Sequence, residues 1–164
     1  MNYANIKPLS IENGPGIRVS LFVSGCRRYC KGCFNPETWD FKYGKVFDQE
    51  ALHELLTALD NPNVQGLSIL GGDPFEPENR PVVEDICRKV RAWRPDKDIW
   101  VWTGYSWEDL KDLPIMYDID ILVDGRFEEE KRDLRLKWRG SSNQRVINVA
   151  ESRRTGEVVL VDGC

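Results

Sequence analysis

Three cysteines in the spacing C-x3-C-x2-C are the feature of this chain that most restricts how it can fold. Cys26, Cys30 and Cys33 directly follow residues 17–23, an alternating, β-branched run that predicts a strand. The thiols are therefore expected on one loop at the end of a strand. Clustered thiolates are soft ligands that suit zinc or an iron–sulfur cluster. A closed zinc site or an ordinary 4Fe–4S carrier takes four protein ligands, so three would leave one iron open to a small molecule.

The composition is that of a globular chain without a basic surface. The chain has 164 residues, of which 41% are hydrophobic and 30% charged, and its formal net charge is −4. This length favours a single domain over residues 1–164, and the acidic balance argues against a nucleic-acid partner. No apolar run approaches the roughly 18–20 residues that span a bilayer, and residues 1–5 do not resemble a signal peptide. We therefore expect a cytoplasmic protein with no membrane partner, whose five cysteines are reduced thiols.

Predicted strands alternate with predicted helices along the middle of the chain. One helix has Asp48 as its N-cap and presents four leucines on one face, and the next begins near Pro81. The strands are expected over residues 17–23, 66–70, 99–102 and 119–123, and the helices over residues 49–59, 81–93 and 107–113. Such alternation predicts βαβ units and a mostly parallel sheet.

Polar or Gly-rich loops follow all four predicted strands. In parallel sheets, binding sites form beyond the carboxyl ends of the strands, so these loops are expected to converge on one face. The chain is too short for an eight-fold barrel, which takes roughly 200 residues or more. We therefore predict an α/β fold, an open partial (β/α) barrel, with a possible C-terminal hairpin at about residues 145–161.

Several residues allow both a structural and a functional interpretation. Residues 71–74, Gly-Gly-Asp-Pro, predict a strand-to-loop turn or a close approach of the backbone to a ligand, with the Asp73 carboxylate accepting from an ammonium group. Cys87 is predicted as a core thiol on the second helix. A fourth metal ligand, if one exists, would come from His53, Cys87 or Cys164.

Two further segments, one basic and one polar, each allow two interpretations. Arg27, Arg28 and Lys31 lie beside the cysteines, where they favour thiolates over thiols or serve only as solvated loop charges. Residues 138–145 form a dense polar loop that is either a surface turn or a binding loop.

Taken in order, the motifs resemble those of a known protein family. The cysteine triplet after a first strand resembles the cluster motif of radical S-adenosylmethionine (SAM) enzymes, and residues 13–18 resemble the opening of their glycyl-radical-enzyme activating branch. From Asn2 to about Arg145 the chain closely resembles the activating proteins of anaerobic ribonucleoside-triphosphate reductase. The segments that carry this resemblance are Ser24-Gly25-Cys26, Gly32-Cys33-Phe34-Asn35, Gly71-Gly72-Asp73-Pro74, Trp100-Val101-Trp102-Thr103-Gly104-Tyr105, Val123-Asp124-Gly125 and Trp138-Arg139-Gly140-Ser141-Ser142-Asn143-Gln144.

The resemblance implies a cofactor set and its residues. The partial barrel would be of the radical SAM type, and a 4Fe–4S cluster would be held through three of its irons, with the fourth iron open to SAM. The implied cluster ligands are Cys26, Cys30 and Cys33, and the implied SAM-binding residues are Gly32, Cys33, Phe34, Gly71, Gly72, Asp73 and Thr103. No catalytic residue is implied beyond these two sites.

The resemblance also implies an activity and its partners. Reductive cleavage of SAM would give a 5′-deoxyadenosyl radical, which would take hydrogen from a glycine of the reductase large subunit. The electron would come from a donor such as flavodoxin or a thioredoxin-type reductant. Two other functions stay open: a non-catalytic zinc or iron–sulfur interaction module, and a radical SAM enzyme that acts on a small molecule.

Overall fold

A mixed β-sheet of seven strands is the frame of the protein, and the computed structural model describes all of residues 1–164. The strands are β1 (Asn2–Ser10), β2 (Arg18–Val23), β3 (Lys45–Val46), β4 (Gly66–Gly71), β5 (Asp98–Trp102), β6 (Ile121–Asp124) and β7 (Arg145–Asn148). The α-helices are α1 (Gln49–Leu59), α2 (Arg80–Trp93), α3 (Trp107–Leu110) and α4 (Val149–Thr155). Short 3-10 helices cover Pro36–Trp39, Pro114–Tyr117 and Glu129–Lys131. The strand order across the sheet is β3-β1-β2-β4-β5-β6-β7.

The predicted open partial (β/α) barrel with a mostly parallel sheet is wrong. The sheet does not close, and only the pairs β2–β4, β4–β5 and β5–β6 are parallel. The pairs β1–β2, β1–β3 and β6–β7 are antiparallel. In a (β/α) barrel each strand is followed by a helix. Here there are only four α-helices, and α3 is a single turn. The predicted parallel βαβ units therefore form only the centre of a mixed sheet.

The first strand lies outside the sequence-based prediction. β1 is nine residues long, yet only Ile6 and Ser10 are buried, so its sequence lacks the apolar alternation that marks a half-buried strand. It is held by its pairing with β2 and by a buried hydroxyl contact between Ser10 and Ser20, whose oxygens are 2.9 Å apart. Tertiary pairing thus fixes a strand that local sequence does not predict.

The C-terminal segment folds as a strand and a helix where a hairpin was expected. The Asn148 side chain accepts a hydrogen bond from the Glu151 amide at 3.1 Å and begins α4, which ends at Gly156 with a left-handed φ of 79°. The chain then returns along β7, where the Asn148 amide donates to the Val159 carbonyl at 2.8 Å. Residues 158–161 consequently cover the outer edge of β7.

The two long helices agree with the prediction and cover one face of the sheet. Asp48 accepts from the Ala51 amide at 3.0 Å and caps α1. Leu55 and Leu59 of α1 lie in one core with β2 and β4, and α2 contributes Val83 and further apolar residues. Each such side chain contributes roughly 1.5–3 kcal/mol when fully buried. No helix is both long and apolar enough to cross a membrane.

The opposite face of the sheet is left free by the two long helices. Residues that alternate with the core positions point to this second face, and they include Phe22 on β2, Leu70 on β4 and Trp102 on β5. All three line one cavity of about 510 Å³. The helices thus leave one face of the sheet free to serve as the wall of a cavity.

A fully buried arginine joins the centre of the sheet. Arg18 has no exposed surface, and its guanidinium donates to the Ser68 hydroxyl at 2.7 Å, the Leu67 carbonyl at 3.0 Å and the Asp98 carboxylate at 2.5 Å. These bonds tie β2, β4 and β5 together. Removing one partner of a buried ion pair leaves the other charge uncompensated, which is more costly than losing a surface pair.

We expect Asp98→Asn to lower the free energy of unfolding by about 2–3 kcal/mol, somewhat less than for a wholly buried pair because Asp98 is partly exposed. Urea denaturation measures the change. The matched control is Asp96→Asn, which removes an exposed carboxylate paired with Arg94 and should cost about 0.5 kcal/mol or less. Equal effects of the two substitutions would contradict the role given to Arg18.

Cys87 should behave as an inert core thiol. It has no exposed surface, and burial raises the pKa of its thiol far above the usual value, so the reactive thiolate is scarce. We expect iodoacetamide to leave Cys87 unmodified in the native protein and to modify it after denaturation, as read by peptide mass spectrometry. The partly exposed Cys164 is the internal control. Native-state modification of both cysteines at the same rate would disprove the core placement.

Candidate functional site

A cavity of about 510 Å³ lies where the loops after β2, β4 and β5 meet the segment from residue 125 to residue 144. Its second-face wall is formed by Phe22, Leu70 and Trp102. Of the predicted site residues, it is lined by Cys26, Cys30, Cys33, Phe34, Gly71, Gly72, Asp73 and Thr103. Only Gly32 is not part of the lining. The convergence of strand-end loops expected from the sequence is thus present, although the sheet around it is mixed.

Backbone hydrogen bonds fold the cysteine loop back onto the following residues. The Gly25 amide donates to the Thr38 carbonyl at 2.7 Å, and the Cys26 amide donates to the Trp39 carbonyl at 3.2 Å. Gly25 has a φ of 109°, and a Cβ there would lie 2.2 Å from the Phe41 ring. The loop therefore needs glycine at this position in order to turn under the aromatic ring.

The three thiols differ in their surroundings. Cys30 is buried, whereas Cys26 and Cys33 are partly exposed toward the cavity. The Asn35 amide points at the Cys33 sulfur at 3.4 Å, and an Arg28 nitrogen lies 3.9 Å from the Cys26 sulfur. Donors and positive charge of this kind stabilise a sulfur that carries negative charge.

Burial and the neighbouring charges together shift the pKa of the Cys26 thiol. Burial is the largest influence and raises the pKa of its thiol, the Asp73 carboxylate raises it further, and the Arg28 guanidinium lowers it. The free thiol is therefore favoured over the thiolate in the absence of a metal. Binding of a metal must displace that proton, because the thiolate is the ligand.

The cysteines line part of the cavity wall and do not converge on a single point. No group of three or more His, Cys, Asp or Glu side chains is arranged to hold one metal ion. An iron–sulfur cluster does not require such convergence, since each cysteine binds a different iron. Three soft thiolates on the wall of one cavity are the donor set that iron–sulfur clusters use.

Asp73 organises the loops after β4 and β5. Its carboxylate is 1% exposed and accepts from the Phe75 amide at 2.9 Å, the Thr103 hydroxyl at 2.8 Å and the Gly104 amide at 2.9 Å. It also forms an ion pair with Arg28 of the cysteine loop. Burial raises the pKa of Asp73, while Arg28 and the three hydrogen bonds counteract that effect. One carboxylate therefore connects three of the loops that form the cavity.

Gly71 and Gly72 allow β4 to end against the cysteine loop. Gly71 has a φ of 116°, and a Cβ there would lie 2.5 Å from the Val23 carbonyl oxygen. A Cβ on Gly72 would lie 2.7 Å from the carbonyl oxygens of both Gly25 and Thr38. Any side chain at either position would push the two loops apart, so the glycines determine how closely Asp73 approaches the cysteines.

Arg28 and its neighbours form a network that the sequence did not resolve. The Arg28 guanidinium carbon lies 4.0 Å from the centre of the Tyr105 ring, and the Tyr105 hydroxyl donates to Glu76 at 2.8 Å. Glu76 is buried and also accepts from Arg27 at 2.9 Å. Only the position of Arg28 near Cys26 marked it in the sequence. Arg27 joins the network through Glu76 but does not line the cavity, and 55% of its side chain is exposed.

The polar loop over residues 138–145 is a wall of the cavity. The Gln144 side-chain oxygen accepts from the amides of Gly140 and Ser141 at 2.9 and 3.1 Å. The Gln144 nitrogen donates to the Gly125 carbonyl at 3.0 Å, which fastens the loop to the end of β6. A Cβ on Gly140 would lie 2.8 Å from the Phe34 ring, so this loop touches the cysteine loop directly.

The three candidates for a fourth metal ligand lie away from the cavity. His53 is exposed on α1, and Cys87 is buried in the core between α2 and the sheet. Cys164 packs against a small cluster around Trp100 on the second face of the sheet. None of the three lines the cavity, so the structure groups only Cys26, Cys30 and Cys33.

Comparison with known proteins identifies the family. The family model described as "4Fe-4S single cluster domain" matches residues 12–147. A protein of Enterobacteria phage T4 is 44% identical over 146 residues, covering 89% of this chain and 93% of the relative. A relative from Pasteurella multocida is 44% identical over 150 residues, covering 88% of this chain and 95% of its own length.

A third relative extends the match to a further bacterium. The Escherichia coli K12 protein is 43% identical over 148 residues, which are 88% of this chain and 96% of the relative. All three carry the name anaerobic ribonucleoside-triphosphate reductase-activating protein. The resemblance to the activating proteins of anaerobic ribonucleoside-triphosphate reductase is thereby confirmed. With a family model over most of the chain and relatives above 40% identity, this chain belongs to the family of anaerobic ribonucleoside-triphosphate reductase-activating proteins and contains a 4Fe–4S cluster domain.

Proposed function

We propose that this protein activates an anaerobic ribonucleoside-triphosphate reductase by reductive cleavage of SAM. The observation that carries the proposal is the shared cavity: three cysteines and the Asp73-centred loops line the same space. Membership of a family named for reductase activation supports the choice of reaction. A cavity of about 510 Å³ is within the range that holds a small organic ligand.

In this proposal Cys26, Cys30 and Cys33 hold three irons of the cluster. The fit rests on their donor chemistry and on the donors aimed at their sulfurs, the Asn35 amide and the Arg28 guanidinium. The fourth iron would be left for the amino and carboxylate groups of SAM. When bound, the cluster would supply the one electron for the reductive cleavage of SAM to methionine and a 5′-deoxyadenosyl radical.

The protein contributes position and shielding to this chemistry. Gly71, Gly72 and Asp73 would hold the methionine part of SAM, Thr103 would contact the ligand from β5, and residues 32–34 would flank the adenine. Because the four donors on Asp73 already come from the protein, its main role is to hold Thr103 and Arg28 in place around the ligand. Ordered loops of this kind orient a cofactor and exclude water, whereas the cofactor supplies the radical.

The substrate in this proposal is a glycine on the large subunit of the reductase. One hydrogen atom of the glycine Cα would pass to the 5′-deoxyadenosyl radical, which would give 5′-deoxyadenosine and leave a glycyl radical on the reductase. Phe34 and Leu134 line the cavity and are 52% and 80% exposed, so apolar surface borders its opening. Exposed apolar surface at a site favours a protein partner. A flavodoxin or a thioredoxin-type reductant would donate the electron.

We expect Cys30→Ala to abolish SAM cleavage without unfolding the protein, because Cys30 would be a cluster ligand and only one sulfur is lost. Anaerobically reconstituted protein should contain about four irons and four sulfides per chain, and dithionite should drive formation of 5′-deoxyadenosine from SAM. The control Cys164→Ala should keep both properties.

Three outcomes would contradict this assignment or the proposed function. Turnover by Cys30→Ala with an intact cluster would remove Cys30 from the ligand set. One zinc per chain in the wild type, with no iron, would favour an interaction module without catalysis. Product in the wild type without a glycyl radical on the reductase would favour a small-molecule substrate.

Asp73→Asn should weaken SAM binding at least tenfold, about 1.4 kcal/mol or more, since Arg28 loses its counter-ion and Thr103 loses its acceptor. Cluster content should change less, because Asp73 does not touch the sulfurs. Asp124→Asn is the matched control: Asp124 is equally buried, pairs with Arg145 at the end of β6, and does not line the cavity. Equal SAM affinities of folded Asp73→Asn and wild type, by calorimetric titration, would refute the role of Asp73.

A further inference from the structure

The cysteine loop has an outer side that does not face the cavity. Tyr29, Lys31 and Gly32 are not part of the cavity lining, and all three are exposed, Tyr29 to 61%. In the proposed function SAM would fill the cavity, and a loop of the reductase would enter at its apolar border beside Phe34 and Leu134. The electron for the cluster must therefore arrive from a side that neither of them occupies.

Two aromatic rings connect this outer side with the inside of the cavity. Trp39 lines the cavity, and the Tyr29 ring packs edge-on against it, with the ring centres 5.2 Å apart and the planes at 86°. The Cys26 amide donates to the Trp39 carbonyl at 3.2 Å, so Trp39 is also tied to the first cysteine. The ring pair thus spans the wall from solvent to the cavity. Electrons tunnel more readily across packed atoms than across a gap filled with water.

The backbone of Tyr29 is strained, and the loop holds it in that state. Its φ of 49° is left-handed, which is unfavourable for a bulky residue. On one side the Arg28 carbonyl accepts from the Arg126 guanidinium at 3.2 Å, and on the other the Cys30 carbonyl accepts from the Cys33 amide at 3.1 Å. Strain that the surroundings maintain is typical of functional positions. Here it accompanies a tyrosine ring that lies largely in solvent.

The charge of the outer side is basic. Residues 26–36 contain three basic and no acidic residues. Arg28 pairs with the buried Asp73, and Arg27 pairs with Glu76 and Glu78. Lys31 is 87% exposed and lies 3.7 Å from its nearest carboxylate, on Glu129. An exposed pair of this kind contributes little, so Lys31 can exchange Glu129 for a carboxylate of a partner.

We propose that Tyr29 and Lys31 form the docking surface at which an acidic donor protein with a reduced flavin passes its electron to the cluster. The inference rests on the proposed function, which requires one electron per SAM. A tyrosine presents a large and rigid contact area to a partner. The nearby lysine steers an acidic surface toward it.

The electron count favours a flavin over a dithiol as the donor group. A dithiol that closes to a disulfide releases two electrons, whereas the cluster would accept one. One electron would leave the reduced flavin, which would be oxidised to its radical form without a change in protons, and the charge of the cluster would fall by one. Neither aromatic ring needs to be oxidised or reduced on the way, since the pair only closes the gap.

The test compares two reductants of the anaerobically reconstituted protein: fully reduced flavodoxin, which must dock, and dithionite, which is small enough to need no docking surface. Stopped-flow absorbance follows reduction of the cluster. Tyr29→Asn removes the ring but tolerates the left-handed backbone. It should lower the rate constant with flavodoxin at least about fivefold, because a central aromatic contact is lost. With dithionite its rate should equal that of the wild type.

Two further variants separate the ring from the charge. Tyr29→Phe keeps the ring and should stay within about twofold of the wild type with flavodoxin. Lys31→Gln should slow flavodoxin about twofold to threefold at low salt, and the difference should disappear at high salt. Calorimetric titration with oxidised flavodoxin, which transfers no electron, should show weaker binding by Tyr29→Asn.

Tyr117→Asn is the matched control, since Tyr117 is a tyrosine that is 73% exposed, lies on the 3-10 helix Pro114–Tyr117 and does not line the cavity. It should be reduced by flavodoxin as fast as the wild type.

Four results would decide the matter. Equal flavodoxin rates for Tyr29→Asn and wild type would overturn the docking surface. Equal slowing with both reductants would overturn it in favour of a structural role for Tyr29. Reduction by a thioredoxin-type dithiol but not by flavodoxin would overturn the choice of a flavin. Reduction by flavodoxin that depends on Tyr29, without formation of 5′-deoxyadenosine from SAM, would support this inference and overturn the proposed function.

Discussion

The buried carboxylate of Asp73 is the interaction on which the site depends. A charge with 1% exposure is stable only when it is paired and hydrogen-bonded. Here its partners come from three different loops: Arg28 beside the first cysteine, the Phe75 amide after β4, and Thr103 with Gly104 after β5. Satisfying this one group therefore forces those loops together, and the cavity is the space that they enclose.

The two faces of the sheet have different roles, and the second face forms a wall of that cavity. Helices α1 and α2 bury one face in a continuous apolar core, and the stability gained there allows the second face to carry polar and aromatic groups. On that face the buried Arg18 joins three central strands through Ser68, Leu67 and Asp98. The strands are thus fixed relative to one another where their carboxyl ends hold the functional loops.

Sequence predicted those parts of the molecule that local patterns determine. The 3.6-residue spacing of leucines and the cap at Asp48 gave α1 its observed bounds, and the cysteine spacing marked the loop that lines the cavity. Sequence did not predict β1, since its pairing with β2 and not an apolar pattern holds it in place. The overestimate of parallel pairing follows from the same omission.

The way the sheet ends restricts how another protein can bind. An unpaired edge strand invites a partner to add a strand of its own. At one end of this sheet β3 is only two residues long and pairs with Asn2 and Tyr3 of β1, so no strand covers the outer edge of β1 from Ala4 to Ser10. At the other end residues 158–161 already occupy the edge of β7. Backbone pairing with another chain is therefore open only along β1, whereas at the β7 end and around the cavity recognition must rely on side chains and on the shape of the surface.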